Sequence, residues 1–273
     1  MEPQMTDIQF AMLVLSTLLI TAGGYIINDY FDRKIDRINK PEGIIVGNLI
    51  QPRHAMAYHL VFSITGVAIG VWLSVGIGQL YLSFIFFMVS GLLWFYSTTY
   101  KREFLLGNVV VALLTALVPF IVLVFELPLL AREYGASAHP ITRLLLIWIS
   151  GFSVFAFLLN LIREIVKDME DLEGDKAFGK ITVPVVWGMT AASRVAVSLI
   201  LSVIALLIVS WIFFIRDAVT IVYFLLLIVF PLLAAAAMII KGDSLSKLHQ
   251  ASFILKAVMM TGIGYMVITK LLM

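Results

Sequence analysis

Eight stretches of mostly apolar residues, each close to twenty long, recur along the chain near 8–28, 55–76, 79–97, 104–125, 141–161, 191–215, 218–240 and 250–272. A hydrocarbon core of about 30 Å takes roughly 20 helical residues to cross, so every stretch has the length of a transmembrane helix. Backbone amides in lipid must be satisfied within the segment, and the period-2 alternation of a membrane barrel strand is not seen. The expected fold class is therefore all-α, a polytopic transmembrane helical bundle with eight helices visible. The connections leave no room for a soluble domain, so residues 1–273 are expected to form a single transmembrane domain. A composition of 62% hydrophobic and 13% charged residues, with mean hydropathy +1.05, fits no ordinary soluble domain.

No Lys or Arg precedes the first stretch and its apolar run is too long for a signal-peptide core, so it reads as a retained helix. The chain has no cysteine, which excludes disulfides, a thiolate nucleophile and cysteine metal sites. His54, His59, His139 and His249 lack ligand spacing, so zinc is not expected. No basic block points to nucleic acid, and no GxxxxGK[ST] loop points to a nucleotide.

Charge is distributed unevenly between the faces. If the helices cross alternately, only Arg132, Arg143, Arg216 and Lys270 of the nineteen Lys and Arg residues fall on one side. The rich side is then cytoplasmic by the positive-inside rule, with both termini outside. The acids concentrate on the same face: Asp29, Asp32, Asp36 and Glu42 lie in 28–42, and six more lie in 164–175.

Spacing separates these acids from ordinary solvated loops. Asn28, Asp32 and Asp36 in NDYFDRKID are four apart, one helical stripe with about 6 Å of rise per step. In NLIREIVKDMEDLEGDK, Asn160, Glu164, Asp168, Asp171 and Asp175 step by four, four, three and four, which also reads as one helical face. Like charges stacked this way repel by about 0.2–0.5 kcal/mol per pair, so a cation is expected among them. Oxygen and amide ligands without His or Cys suit a hard ion, Mg²⁺, which fills its shell with water and phosphate oxygens. Arg37, Lys40, Lys101, Arg102, Arg163 and Lys167 are nearby donors for such oxygens. A lipid-tailed allylic diphosphate would place its head at the metals and its tail among the helices. The rings of Trp94, Phe95, Tyr96 and Tyr100 could steady an allylic cation or form an interfacial belt.

These residues resemble the UbiA-type intramembrane prenyltransferases. Asn28, Asp29, Asp32 and Asp36 match the NDxxDxxxD signature, followed by DRINKP at 36–41. Asp171 and Asp175 match the second, DxxxD, with Asp168 one turn earlier; YSTTYKREFLLGN at 96–108 and ITVPVVWG at 181–188 match further segments. The resemblance implies a nine-helix bundle using Mg²⁺ to ionise a polyprenyl diphosphate at a cytoplasmic-side site. Carried over, Asn28, Asp32 and Asp36 would serve one metal, and Asp171 and Asp175 the other, with Asp168 assisting. Lys101, Arg102 and Arg163 would hold diphosphate oxygens, and Tyr100 or Tyr96 would face the cation.

Two departures stand out. Eight spans are found where the family has nine, the absent one being the first, which suggests a chain that begins late. NKPEGIIVGNLI stands where many relatives have NKPxRPxPSGxIS. The wording of REIVKDMEDLEGD is most similar to the branch that prenylates geranylgeranylglyceryl phosphate, with an aromatic acceptor of quinone synthesis as the alternative. For a hydroxyl acceptor, Glu164 or Asp168 would be the candidate base. The rival class, an ion-coupled transporter, would place ionisable groups at helix centres and show internal repeats, and the span interiors here are nearly uncharged. A non-catalytic lipid-binding scaffold would explain a cavity but not doubled acids. Pro119 and Pro231 read as kinks, Gly23 and Gly24 as close helix contacts, Lys256 as a snorkelling residue, and the Met residues as adaptable filler.

Overall fold

The computed structural model describes residues 2–39, 41–242 and 244–272, with side chains through Thr269. Lys40, expected among the phosphate donors, and the Lys270 side chain, counted on the sparse face, lie outside the described residues. Ten α-helices are present among them: α1 (Asp7–Asn39), α2 (Pro52–Gly76), α3 (Ser83–Thr98), α4 (Leu106–Tyr134), α5 (His139–Glu170), α6 (Leu172–Ala177), α7 (Val183–Ser210), α8 (Ala218–Phe224), α9 (Phe230–Lys241) and α10 (Leu245–Leu272). No strand forms among the described residues, only an isolated bridge between Val46 and Ile50. Among the described residues seven apolar stretches are long enough to cross a membrane, and the fourth, Leu106–Glu170, holds both α4 and α5 around a 3-10 turn at Gly135–Ala138. Each of the eight expected windows thus coincides with a helix or, at 218–240, with α8 and α9 in series. The chain divides into two compact units, residues 1–153 and 154–273, with the boundary inside α5.

In the first unit, α1 runs unbroken for 33 residues, about 50 Å, well beyond the hydrocarbon thickness. The stripe of Asn28, Asp32 and Asp36 therefore stands on its continuation. Lipid gives helices no hydrophobic reason to associate, so α1 and α2 meet through small residues that let backbones approach. The buried face of α2 includes Ala55, Ser63, Gly66, Gly70 and Ser74, with Gly66 and Gly70 forming a GxxxG pair. Ser16 Oγ donates to the Gly66 carbonyl at 2.7 Å, and a methyl on Gly66 would come within 2.8 Å of Ile20 and 3.0 Å of the Ser16 carbonyl. Gly23 and Gly24 behave as expected: a Cβ on the first would lie 2.6 Å from Ser63 Oγ, and on the second 2.9 Å from Leu93. Leu13, Ile20, Leu73, Leu82, Phe86, Ile121 and Phe125 fill the core between α1, α2, α3 and α4.

Glu126 was not singled out by the sequence; it lies one residue past the fourth apolar window. It is buried in α4, and its carboxylate accepts from the backbone N–H of Gln4 and, at 3.0 Å, of Met5. The segment leading into α1 is held there.

In the second unit, α9 packs against α7 and α10, and α6 against α7. The entry of α7 breaks at Gly188 (φ 81°), a conformation open to glycine. Pro231 explains the π-helical turn at Leu225–Val229: it lacks an N–H and its ring crowds the carbonyl four residues back, Leu227, so the helix widens. Thr261 Oγ1 on α10 reaches that carbonyl at 3.1 Å. Asp217 caps α8, accepting from Thr220 N–H at 2.7 Å, and hydrogen bonding from the Thr220 side chain, with its backbone N–H, holds the Asp217 carboxyl below the usual aspartate value.

Gly66→Ala is expected to lower stability by about 1–3 kcal/mol through overpacking against α1, read as a fall in thermal midpoint in detergent. Gly91→Ala, where a Cβ meets nothing within 4 Å on α3, is expected to be neutral or stabilising in the same assay.

Candidate active site

The first acid group is built on the last three turns of α1. Lys101 closes it from the 3-10 turn Tyr100–Arg102 that follows α3. That turn is pinned by the start of α4: a Cβ on Gly107 would lie 2.7 Å from Lys101 Cα, so only glycine lets α4 approach so closely. Leu105, just before α4, takes a left-handed φ of 56° to make the corner. The result brings Lys101 Nζ to 2.6 Å from Asp32 Oδ1 and 3.2 Å from Asn28 Oδ1. The side chains of Lys101 and Asp32 are only 6% and 14% exposed, so this is a largely desolvated ion pair. Asp36, one turn farther along α1, is half-buried.

The aromatic residues near this centre are packed as well as exposed. Trp94 lies edge-on to Phe31 (centroids 6.0 Å) and 5.4 Å from the His59 ring, whose Nδ1 is 2.9 Å from the Gly23 carbonyl. Tyr100 lies 6.0 Å from the exposed Phe95 ring, while Tyr96 is half-buried and Arg102 is exposed. Arg33 sits 4.5 Å above the ring of Tyr30.

The second acid group departs from the single helical face expected of it. Asn160, Glu164 and Asp168 do share α5, but that helix ends at Glu170; Asp171 adopts φ −91°, ψ 9° and caps α6, which carries Asp175. The physical cause is local: Asp171 is a poor helix-interior residue, and Gly174 lowers propensity further. Arg163, expected on diphosphate oxygens, pairs with the neighbouring Glu164 at 2.6 Å. Asp175 is fully buried, and Lys180 Nζ lies 2.8 Å from its Oδ1. Lys180 was not singled out from the sequence, yet its position follows from a Schellman turn. Gly179 (φ 66°) ends α6, with Gly179 N–H donating to the Lys176 carbonyl at 3.3 Å and Lys180 N–H to that of Asp175 at 2.9 Å. A helix ended by glycine and followed by lysine is the signal that was available. Glu170 also lies 3.5 Å from the exposed His249.

Among the described residues no three His, Cys, Asp or Glu side chains converge on one point. The oxygens of Asn28 and Asp32 nevertheless converge on a single cationic centre, the Lys101 ammonium. The donor set is all oxygen and amide, which fits Mg²⁺ with water and phosphate completing its shell.

Fold and site together define a multi-pass α-helical membrane protein whose polar chemistry rests on carboxylates paired with lysines at helix ends. The chain belongs to the UbiA prenyltransferase family, whose model matches residues 2–257. It is 36% identical over 188 residues to a digeranylgeranylglyceryl phosphate synthase of Thermococcus sibiricus, covering 68% of this chain and 59% of that protein. To one of Methanosphaera stadtmanae it is 31% identical over 244 residues, 89% of this chain and 80% of the relative. The chain thus spans about three fifths of the length of the first relative, 59%. A solved structure concerned with digeranylgeranylglyceryl phosphate synthase in membranes shares the fold with TM-score 0.61 at 24% identity, over 95% of this chain and 84% of that one. An apo UbiA homolog from Aeropyrum pernix does so with TM-score 0.69 at 15% identity, over 97% and 92%.

Lys101→Met removes the cation between Asn28 and Asp32 and is expected to destabilise by about 3–5 kcal/mol, the cost of a buried charge left alone. Added Mg²⁺ should raise the thermal midpoint of this variant more than that of the parent protein. An equal response to Mg²⁺ in both would argue against a metal position at these oxygens.

Proposed function

We propose that this chain transfers a polyprenyl group from an allylic polyprenyl diphosphate to a lipid acceptor, with geranylgeranylglyceryl phosphate favoured. The single observation that carries the reading is the convergence of Asn28 and Asp32 oxygens on one cation, at 3.2 and 2.6 Å, in a chain of this family. The names of the relatives support the glyceryl phosphate acceptor.

In this reading Asn28, Asp32 and Asp36 hold one Mg²⁺, and Asp171 and Asp175, with Asp168, hold a second. When bound, the ions neutralise the departing diphosphate and so assist C–O cleavage. Lys101, Arg102 and Arg163 donate to diphosphate oxygens, where charge-assisted hydrogen bonds favour the more charged leaving group. Tyr100, with Tyr96, presents a ring face to the allylic cation. The C–O bond breaks with its electron pair leaving on the diphosphate, the acceptor hydroxyl oxygen then bonds to the allylic carbon to form the ether, and its proton passes to a carboxylate. Glu164 or Asp168 takes that role; Glu164 is buried and held by Arg163. Glu126, the carboxylate within α4, is spent on backbone N–H groups of residues 4 and 5, which argues against ion coupling there.

Purified protein given Mg²⁺, labelled geranylgeranyl diphosphate and a panel of acceptors should form the ether of geranylgeranylglyceryl phosphate. Product on an aromatic acceptor instead would move the chain to the quinone branch, and no product on any acceptor would count against transferase activity. Asp32→Asn, which keeps a hydrogen-bond acceptor facing Lys101, and Asp171→Ala should each lose Mg²⁺-dependent diphosphate release while remaining folded; retained turnover in either removes its metal role.

The charge asymmetry supports a cytoplasmic site. Since the chain has no native cysteine, Glu42→Cys should react with an impermeant thiol reagent only from the cytoplasmic side and Ala136→Cys only from the opposite side. Labelling of both from one side would reject this topology.

A further inference from the structure

The loop between α1 and α2 contains the segment GIIVGNLI, which the proposed chemistry does not use. It is a compact turn. Gly47 N–H donates to the Ile50 carbonyl at 2.8 Å, and Leu49 and Ile50 N–H both donate to the Ile45 carbonyl at 2.9 and 3.0 Å. Gly47 (φ 105°) makes the left-handed bend, and Val46, only 4% exposed, anchors the turn. With the N–H groups of Gly47, Leu49 and Ile50 bonded internally, such a turn enters a partly hydrated interface at lower cost than an open loop.

Its position and side chains say where it would go. A Cβ on Gly47 would lie 3.8 Å from Arg33 Cδ, so the loop folds back alongside α1 instead of projecting past its end at Asn39. Arg33 is six residues before that end, about 9 Å back along the axis. It is also six residues beyond Ile27, where the apolar run stops. Six residues again make about 9 Å, which places the loop at the outer edge of the headgroup layer, roughly 5–8 Å on each side of the hydrocarbon core. There the turn exposes Leu49 (83%) and Ile45 (47%), with Ile38 (47%) on α1. Lys34, Arg37 and Arg53, all exposed, lie within a few residues of the turn's ends or of Ile38, against one exposed acid in the connection, Glu42. Exposed apolar side chains with an excess of cations close by match a bilayer interface carrying anionic headgroups, to which each basic residue adds attraction.

We propose that residues 44–50 form an interfacial lipid anchor, with Leu49 and Ile45 reaching through the headgroups toward the acyl boundary and Lys34, Arg37 and Arg53 on anionic headgroups. The loop then fixes the depth and tilt of the α1–α2 corner in the membrane. The full chain with Leu49→Cys has one thiol, because the native sequence has none. Labelled there with an environment-sensitive fluorophore in bilayer nanodiscs, it should emit to the blue of the same protein in water-exposed reference labelling at Ser137→Cys. A nitroxide lipid carrying its spin near the acyl carbonyl should quench it more strongly than one labelled near the chain end, and aqueous iodide should quench it little. The shift should grow with anionic lipid content and shrink in Lys34→Gln/Arg53→Gln. Unshifted emission quenched by iodide would place the loop in water and overturn the proposal. Blue-shifted emission that no nitroxide lipid quenches would mean that protein covers the loop, and would overturn it equally.

Discussion

A carboxylate beside hydrocarbon is unstable unless the protein brings a cation or hydrogen-bond donors to it, and the acid groups at the helix ends of each unit are organised around that demand. Asp32 meets Lys101 at 2.6 Å, and the fully buried Asp175 meets Lys180 at 2.8 Å. Desolvation of two ions costs several kcal/mol each, and their attraction offsets this only when the geometry is close. Neither lysine comes from the middle of a helix. Lys101 is delivered by a 3-10 turn held against Gly107, and Lys180 by the glycine turn that ends α6. Tight turns fix a backbone position to within small tolerance, which long lysine side chains alone would not provide.

The same economy of space governs the apolar part of the first unit. Since lipid is as apolar as leucine, contact between α1 and α2 depends on backbone proximity and on hydrogen bonds such as Ser16 to Gly66. A rigid α1 is the consequence, and it is this continuous rod that carries Asn28 and Asp32 beyond the membrane edge in a common orientation. Packing near the middle of the membrane and acid placement at its edge are thereby one problem.

Much of this was legible from the residues. Apolar length gave the spans because backbone satisfaction in lipid permits little else, and the spacing of four in NDYFDRKID gave the first stripe because α1 does not break. The second stripe is not one helical face. Its steps of four, four, three and four fit a helix, yet Asp171 and Gly174 favour a break, and the helix divides after Glu170. Periodicity reports which residues could share a face, while propensity decides whether the helix continues. Glu126 escaped notice because its partners are backbone N–H groups more than a hundred residues away, at Gln4 and Met5, which leave no side-chain signature. The pairing of Lys180 with Asp175 required recognising a turn, not a motif.

The widened turn at Leu225–Val229 has a consequence for how this helix is compared with others. A turn closed by i→i+5 bonds accommodates one residue more than its α-helical equivalent. Everything from Phe230 onward is therefore advanced by one position relative to an uninterrupted helix, and the faces of α9 are rotated accordingly. A relative lacking the proline at this point would need a one-residue gap inside the helix to superpose side chain on side chain, although gaps are ordinarily sought in loops.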